Sequence, residues 1–540
     1  MYQASRTMRL FGMALALAGA SLAGVARAGT TTNVDLSLDE CIKIALEHNF
    51  DVKIHRLNPD LARLTLRGAY GAYDPNFSIS GEHDFSQSPG GYDAQGRPYA
   101  GTAADVNQGN ASFSGLLPWG MTYTLGASMS DTWGVYPPGA APDYLHPYVV
   151  TNSFLDLNGN HEVLFLATNY QTKVVQQPFA TTANQQALQL RQPLLKNFWI
   201  DNTRLQIILD KKSLRNSELD FRGQVMNTIF AVESAYYNLI FSRDNVGVQK
   251  KALELAERLL AENKKRVEVG ALAPLDEKQA ESQVASSQAA VLSAESDRNT
   301  QERRLKSLLS DDYTQWLNAT LKPSESLLAI PETFNLQESW RKGLTLRPDL
   351  LQQKLSLEKQ GFIVKYQRNQ LYPQLDLYGS YGYQGASAGI TTTLDQIGGR
   401  DNPFWTVGSQ LTMPLGNTAA RNNYRAARVT KDQIVLQLKQ LQQNILITIE
   451  NDVDVARTAL LRSTATREAR LYAAAALDAE QKKLDNGKST SFVVLQLQSN
   501  LTTAQSAEIR ALADYNIALA QLAVDEGTTL ERRHTAIDVH

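Results

Sequence analysis

Lys265-Arg266-Val267-Glu268-Val269-Gly270-Ala271-Leu272-Ala273-Pro274-Leu275-Asp276 and Lys482-Lys483-Leu484-Asp485-Asn486-Gly487-Lys488-Ser489-Thr490-Ser491-Phe492 read as two copies of one turn. Superposing Gly270 on Gly487, an offset of 217 residues, carries Ala256, Leu260 and Val267 onto Ala473, Leu477 and Leu484. These positions follow four-and-three spacing, one stripe of a helix. Beyond the turn, Leu275, Ser282, Ala285 and Leu292 meet Phe492, Ser499, Thr502 and Ile509 in the same way. Each copy is thus a helical hairpin, with a glycine where a left-handed residue ends one helix and Pro or Ser close by to start the next. From about residue 197 to 269 there is no Pro, and Gly only at 223 and 247 before the turn. The second copy, about 421 to 486, holds neither in its interior. At 1.5 Å per residue such helices run about 100 Å. The returning helices are rich in Ala, Ser, Gln and Thr (Ser282, Ala285, Ser286; Ser499, Thr502, Thr503). Narrow apolar seams with polar faces suit a wall with water on both sides, and an extended coiled-coil rod carries the same pattern.

The duplication extends toward the N-terminus. Leu38 to Asn49 reads as an amphipathic helix with Ser37 as N-cap and Glu40 three residues on. At an offset of 298 it returns as Leu336 to Arg347-Pro348-Asp349, pairing Glu40 with Glu338, Ile42 with Trp340 and Asp51 with Asp349. The same offset lays Pro75 on Pro373, and Phe77, Ile79, Gly81, His83 and Phe85 on Leu375, Leu377, Gly379, Tyr381 and Tyr383. This period-2 alternation marks strands. Returning strands end at Gln192-Pro193-Leu194-Leu195 and Met413-Pro414-Leu415-Gly416. The chain is two copies of helix, strands, long helix, turn and helix. Expected boundaries are 29–330 for the first repeat, 331–527 for the second and 528–540 for a tail.

The copies differ between their strands. The second needs only a Gly- and Thr-rich loop from about 385 to 402. The first inserts about a hundred residues, 86 to 184. Ala111, Phe113, Gly115 and Leu117 alternate, Pro118-Trp119-Gly120 reads as a turn, and Met121, Tyr123, Leu125, Ala127 and Met129 alternate again. That predicts an extra hairpin. The polar stretch from Pro137-Pro138-Gly139 to Asn184 reads as an exposed loop.

At the N-terminus, Arg6 and Arg9 precede the apolar run Leu10 to Ala18, and Ala26-Arg27-Ala28 follows. That is a signal peptide, residues 1–28. The formal net charge is −2, which gives no electrostatic signal for nucleic acid. Cys41, the single cysteine, sits on an apolar stripe and reads as packing. Seven His are scattered without metal-ligand spacing, and no Gly-rich phosphate loop follows a strand. These absences predict no enzyme activity, no cofactor and no metal. No later apolar run has the length of a spanning helix, so a membrane would have to be crossed by strands. Four to six strands cannot close a barrel, because the smallest membrane barrels need about eight. Either the strands form a soluble sheet or several chains pool them. Aromatics at strand ends (Phe85, Trp119, Trp133, Tyr378, Tyr381, Phe404, Trp405) resemble an interfacial girdle, though aromatics favour strands anywhere.

Along nearly all of its mature length the chain resembles the TolC-like outer-membrane efflux proteins. The resemblance is carried by the Leu38–Asn49 opening, its echo with Arg347-Pro348-Asp349-Leu350, and Gln192-Pro193-Leu194. It is carried further by Val269-Gly270 with Leu275-Asp276 and Gln279-Ala280-Glu281, and by Gly487 with Asp514-Tyr515-Asn516. It implies an α+β membrane protein: a homotrimer whose pooled strands form one β-barrel in outer-membrane lipid and whose helices form a long periplasmic tunnel. The implied function is the outer-membrane channel of a tripartite efflux or type I secretion system, a passive duct served by a periplasmic adaptor protein. An inner-membrane pump of RND or ABC type would drive it. A periplasmic adaptor and a non-channel surface coiled-coil protein are the competing classes; adaptors carry one hairpin, and this chain has two. By the same resemblance Gly270, Ala271, Leu272, Gly487, Lys488 and Ser489 form adaptor-facing tips. The tunnel constriction falls on Asp276, Leu484, Val493 and Gln496. Members of the family carry two acidic residues six and nine places after the second-turn Gly, where Val493 and Gln496 stand here. Their locking Tyr and Arg are replaced by Leu484 and Ser489. Asp276 keeps an acidic match, and closure by apolar contact is expected in place of a cation-binding ring. The alternating residues of the extra hairpin, about 107 to 133, are as apolar as those of the shared strands, so it is expected in the same sheet: three copies of six strands would give eighteen, against twelve if it folds outside as a flap.

Overall fold

The computed structural model describes residues 32–92, 98–99, 101–135, 139–155, 161–175, 178–270 and 272–535. The expected signal peptide lies outside them. The first repeat runs β1 (Thr32–Leu36), α1 (Leu38–His48), α2 (Phe50–Tyr70), β2 (Asn76–Ser88), β3 (Gly91–Tyr92), β4 (Pro98–Tyr99), β5 (Thr102–Leu116) and β6 (Thr122–Val135). It continues with β7 (Gly139–Leu155), β8 (His161–Val175), β9 (Pro178–Pro193), α3 (Asn202–Glu268), α4 (Pro274–Leu309) and β10 (Ala319–Pro323). The second runs α5 (Leu336–Leu346), α6 (Pro348–Asn369), β11 (Gln374–Ser387), α7 (Ile390–Gly399), β12 (Pro403–Thr412), α8 (Thr418–Asp485), α9 (Ser491–Glu526) and α10 (Thr529–Arg532). The duplication is visible in the lengths: α3 and α8 hold 67 and 68 residues, α4 and α9 36 each. Two compact units emerge, each drawing on both repeats.

One unit takes residues up to Lys53, Val225–Leu336 and Glu450–Thr535. Its helix α1 starts at the expected capping box, in which Ser37 and Glu40 satisfy each other's backbone N–H. The α1 stripe Leu38, Cys41, Ile42 and Ala45 is buried, and burial pushes the Cys41 thiol up to about 12, an unreactive packing residue. The core of α3 adds Met226, Ile229, Tyr236 and Leu239, all at most 2% exposed. Sequence periodicity missed the parallel pair of β1 with β10. Tyr236 bonds the carbonyl of Leu36 on that pair at 3.0 Å.

The other unit, Ile54–Gln224 with Gln337–Ile449, holds a six-stranded antiparallel sheet in the order β12-β11-β9-β6-β5-β2. The extra hairpin is β5–β6, and it lies in this sheet between β2 and β9. Its turn closes through Leu117 N–H to Met121 O and Gly120 N–H to Leu117 O, both 2.8 Å. Gly120 has φ +90°, and a Cβ there would stand 2.9 Å from Arg204 Nη2. Arg204 in turn bonds the carbonyls of Asn197 and Phe198 and the carboxylate of Asp201, so the turn is seated on the start of α3. One row across all six strands reads Phe77, Phe113, Leu125, Leu188, Tyr381 and Trp405; the row beside it reads Asn76, Ser114, Thr124, Gln189, Ser380 and Thr406. The register therefore aligns every strand's apolar positions on one face. All six side chains of the apolar row are exposed, from 41% at Leu188 to 74% at Trp405.

Helices continue that order. α2 meets α3 through Arg56 over Phe221, α3 meets α6 through Lys212–Glu358 (2.6 Å), and α6 meets α8 through Gln360 to the Ala427 carbonyl (2.8 Å). Two loop expectations are overturned. The stretch from 139 to 184 holds the β7–β8 hairpin and the first part of β9, because backbone pairing with a partner strand overrides the local turn propensity of Pro, Gly and Asn. The 385–402 loop contains α7, whose left-handed C-cap is Arg400.

Candidate tunnel tip

Both hairpins reverse at a left-handed glycine, Gly270 at φ +76° and Gly487 at φ +69°, where any Cβ carries backbone strain. At the second turn Lys488 N–H reaches Lys483 O at 2.9 Å and Gly487 N–H reaches Leu484 O at 3.0 Å, a Schellman closure. The first turn is one residue looser: Leu272 N–H reaches Arg266 O at 3.3 Å. Ala271 lies outside the described residues. Pro274, at the first position of α4, restarts the first hairpin, and Ser491 restarts the second after the extended Thr490.

The two turns are fastened side by side. Ser491 Oγ donates to Asp276 Oδ1 at 3.1 Å, and the Arg266 guanidinium stands 3.8 Å from Asp485. Beneath them Leu259, Leu477, Leu484, Val494 and Leu495 form one apolar cluster, with Leu497 and Leu501 against it. Asn263, 1% exposed, donates to the Asp276 carbonyl at 3.4 Å and pins the start of α4. Ser489 Oγ bonds Glu480, whose carboxyl is held below its ordinary range first by Lys483 and then by Ser489.

The four expected constriction residues divide into two pairs. Asp276 is half-buried and bound to Ser491, and Leu484 is 6% exposed inside the cluster. Val493 and Gln496 are exposed on one face of α9 with Asn500, to which Gln496 donates at 3.2 Å. Of the expected tip residues Gly270, Gly487 and Lys488 are exposed, and Leu272 and Ser489 half-buried. The stripe the repeats share past the turn is not the inner seam. Leu275 (66%), Phe492 (58%) and Leu292 (58%) are exposed, and α4 packs instead through Ala280, Ser287, Val291 and Ala294. Sequence reasoning thus missed Val269, Leu275 and Phe492 as exposed apolar residues around the turns. The correspondence of Leu275 with Phe492 was the available signal; Val269 falls on Asn486 and had none. Among the described residues no cluster of His, Cys, Asp or Glu could hold a metal.

Known proteins resemble this chain in sequence and in fold. The pattern of the outer membrane efflux proteins matches residues 166–310 and 341–524. The outer membrane efflux protein BepC of Brucella suis is 23% identical over 341 residues, 61% of this chain and 69% of that protein. The outer membrane protein TolC of Vibrio cholerae is 23% identical over 332 residues, 60% of this chain and 72% of its own. The solved Campylobacter jejuni CmeC outer membrane channel shares the fold with a TM-score of 0.60 at 16% identity, over 96% of this chain and 92% of CmeC.

Proposed function

This chain belongs to the outer membrane efflux protein family, and we propose that three copies assemble into a duct whose paired hairpin tips dock a periplasmic adaptor. As a member of that family it is the outer-membrane channel component of an efflux system, with a large periplasmic part. The observation that carries the reading is the exposed apolar row across the sheet. No described helix is long and apolar enough to cross a membrane, so the sheet is the part of the chain suited to lipid. One copy offers six strands in that sheet, fewer than a membrane barrel needs, and this supports pooling by a homotrimer. The protein acts as a passive duct, and an inner-membrane pump of RND or ABC type supplies the energy.

At the tips, Gly270, Ala271, Leu272, Gly487, Lys488 and Ser489 form the adaptor surface, widened by exposed Val269, Leu275 and Phe492. Asp276 and Leu484 hold the hairpins together, while Val493 and Gln496 line the constriction with an uncharged ring. The competing adaptor class is disfavoured by the six-stranded sheet and second hairpin. Native mass measurement in detergent gives a trimer on this reading; a stable monomer refutes it. In cells, Ala271→Asp with Lys488→Asp abolishes export while trimer and outer-membrane insertion persist. Loss of the trimer in that variant would show that the turns only reverse the chain.

A further inference from the structure

The two edges of the six-stranded sheet decide how copies join. Strand β2 is exposed at all 13 residues and β12 at eight of its ten. Natural edge strands are blunted by Lys, Pro, bulges or covering loops. Neither strand contains Lys or Arg, the one Pro is Pro403 at the start of β12, and their pairings with β5 and β11 run without a register shift. The charges of β2, Glu82 and Asp84, fall at and past its middle, so its helix-side half from Asn76 to Gly81, like the whole of β12, is a ladder without charge or bulge. In hydrocarbon every unpaired N–H and C=O on it costs several kcal/mol, so lipid requires that both be paired.

The edges are made for each other. All five pairings in the sheet are antiparallel and the strand number is even, so β2 and β12 run in opposite directions. A head-to-tail contact between copies then continues the alternation without a break. The flanking helices supply a second stretch of the same contact. α2 leads through a short turn into β2 and keeps Ile54, Leu57, Leu61 and Leu64 about 60% exposed at four-and-three spacing. α8 follows β12 and exposes Val429, Leu436 and Ile447. One flank of the unit is β2 with α2, the other β12 with α8, and each carries an open ladder beside exposed apolar helix residues.

We infer that β2 of one copy pairs with β12 of the next, so that all six strands of each chain, the inserted hairpin included, enter one eighteen-stranded barrel. This rests on the trimeric channel reading and goes beyond it. With strands ~4.8 Å apart and tilted ~40°, eighteen strands enclose a backbone ring ~36 Å across, against ~24 Å for twelve. The strand-built part of the duct is thus about 1.5 times wider than four strands per copy would make it. Phe113, Tyr123 and Leu125 of the hairpin face lipid as part of the wall, and the Pro118–Gly120 turn closes its rim on α3.

Disulfide mapping in outer membranes tests it, in a Cys41→Ala background. Thr124→Cys with Gln189→Cys reports β6 beside β9, and the pair links within one copy. Ser80→Cys is then combined in turn with Thr406→Cys, Gly408→Cys and Gln410→Cys. One of these gives covalently linked dimers and trimers. Linking of Asn76→Cys to Gln189→Cys in the inserted protein would place β2 directly against β9, with the hairpin outside, and would overturn the inference. Electron cryomicroscopy of the unmodified protein separates the same outcomes by ring diameter, about 36 against about 24 Å. A monomer by native mass would instead remove the channel trimer itself.

Discussion

Leu125→Arg is the sharpest probe of which face of the sheet meets lipid. Leu125 is 54% exposed and sits between Phe113 and Leu188 in the apolar row. It lies three residues beyond Thr122, the helix-side end of β6. At ~3.4 Å per residue and a tilt of ~40°, that places it ~8 Å inside an apolar band ~25 Å tall. A barrel arginine costs about 2–4 kcal/mol at the bilayer midplane and about 0–1 near the interface, so ~2 kcal/mol per copy is expected at this depth. In a trimer the three substitutions together cost ~6 kcal/mol, roughly a 10⁴-fold shift in the insertion equilibrium. Thr124→Arg is the internal control, because Thr124 lies one residue away in the polar row between Ser114 and Gln189. It should change insertion by less than about 0.5 kcal/mol. The assay is refolding into short-chain phosphatidylcholine vesicles across a urea series, read by tryptophan fluorescence and by resistance to SDS. If the two variants insert alike, or if Thr124→Arg is the worse, the assignment of the apolar row to lipid is wrong.

Other consequences follow from single contacts. Asp311 is held down at about 2 by hydrogen bonds from Lys53 and then His48, against an ordinary 3.8. Its folded form thus loses protons more readily than the unfolded one, so its stabilisation is complete above about pH 4 and disappears as pH falls toward 2. Asp311→Asn should lower the unfolding midpoint at pH 6 and match the parent at pH 2; a constant difference at both would refute this. Leu484→Ala empties the cluster that joins the hairpins and should cost about 3 kcal/mol locally, seen as faster amide exchange at residues 477–495. Gly487→Ala meets open space but keeps φ near +69°, so only backbone strain of about 1 kcal/mol is expected; a larger loss would mean the turn touches a neighbour.

Much of this protein is written in local chemistry. The glycines at 270 and 487 mark turns because only they take a left-handed φ without strain, and the structure has both. The proline-free runs became α3 and α8 within a few residues of their expected ends, since helix propensity and breakers act along the chain. Alternation at 77–85 and 121–129 gave strands and sorted apolar from polar faces. What an element packs against is a different matter, because a period fixes a face and not its partner. Leu275 and Phe492 repeat at helical spacing whether that face is inside or out, and only packing turned them outward. At the expected constriction, the count from Gly487 that points to Val493 could not tell its exposed face from the buried neighbour Val494. The parallel pairing of β1 with β10 joins segments far apart in the chain, and a five-residue strand carries too little pattern to announce it. The stretch from 139 to 155 is rich in turn formers yet pairs with 161–175 at 139–142 and 147–155, since strand pairing depends on a partner the local sequence does not name. The order of the six strands was decided the same way. Hydrogen bonds between distant residues put β5 and β6 between β2 and β9 and left β2 and β12 open at the edges.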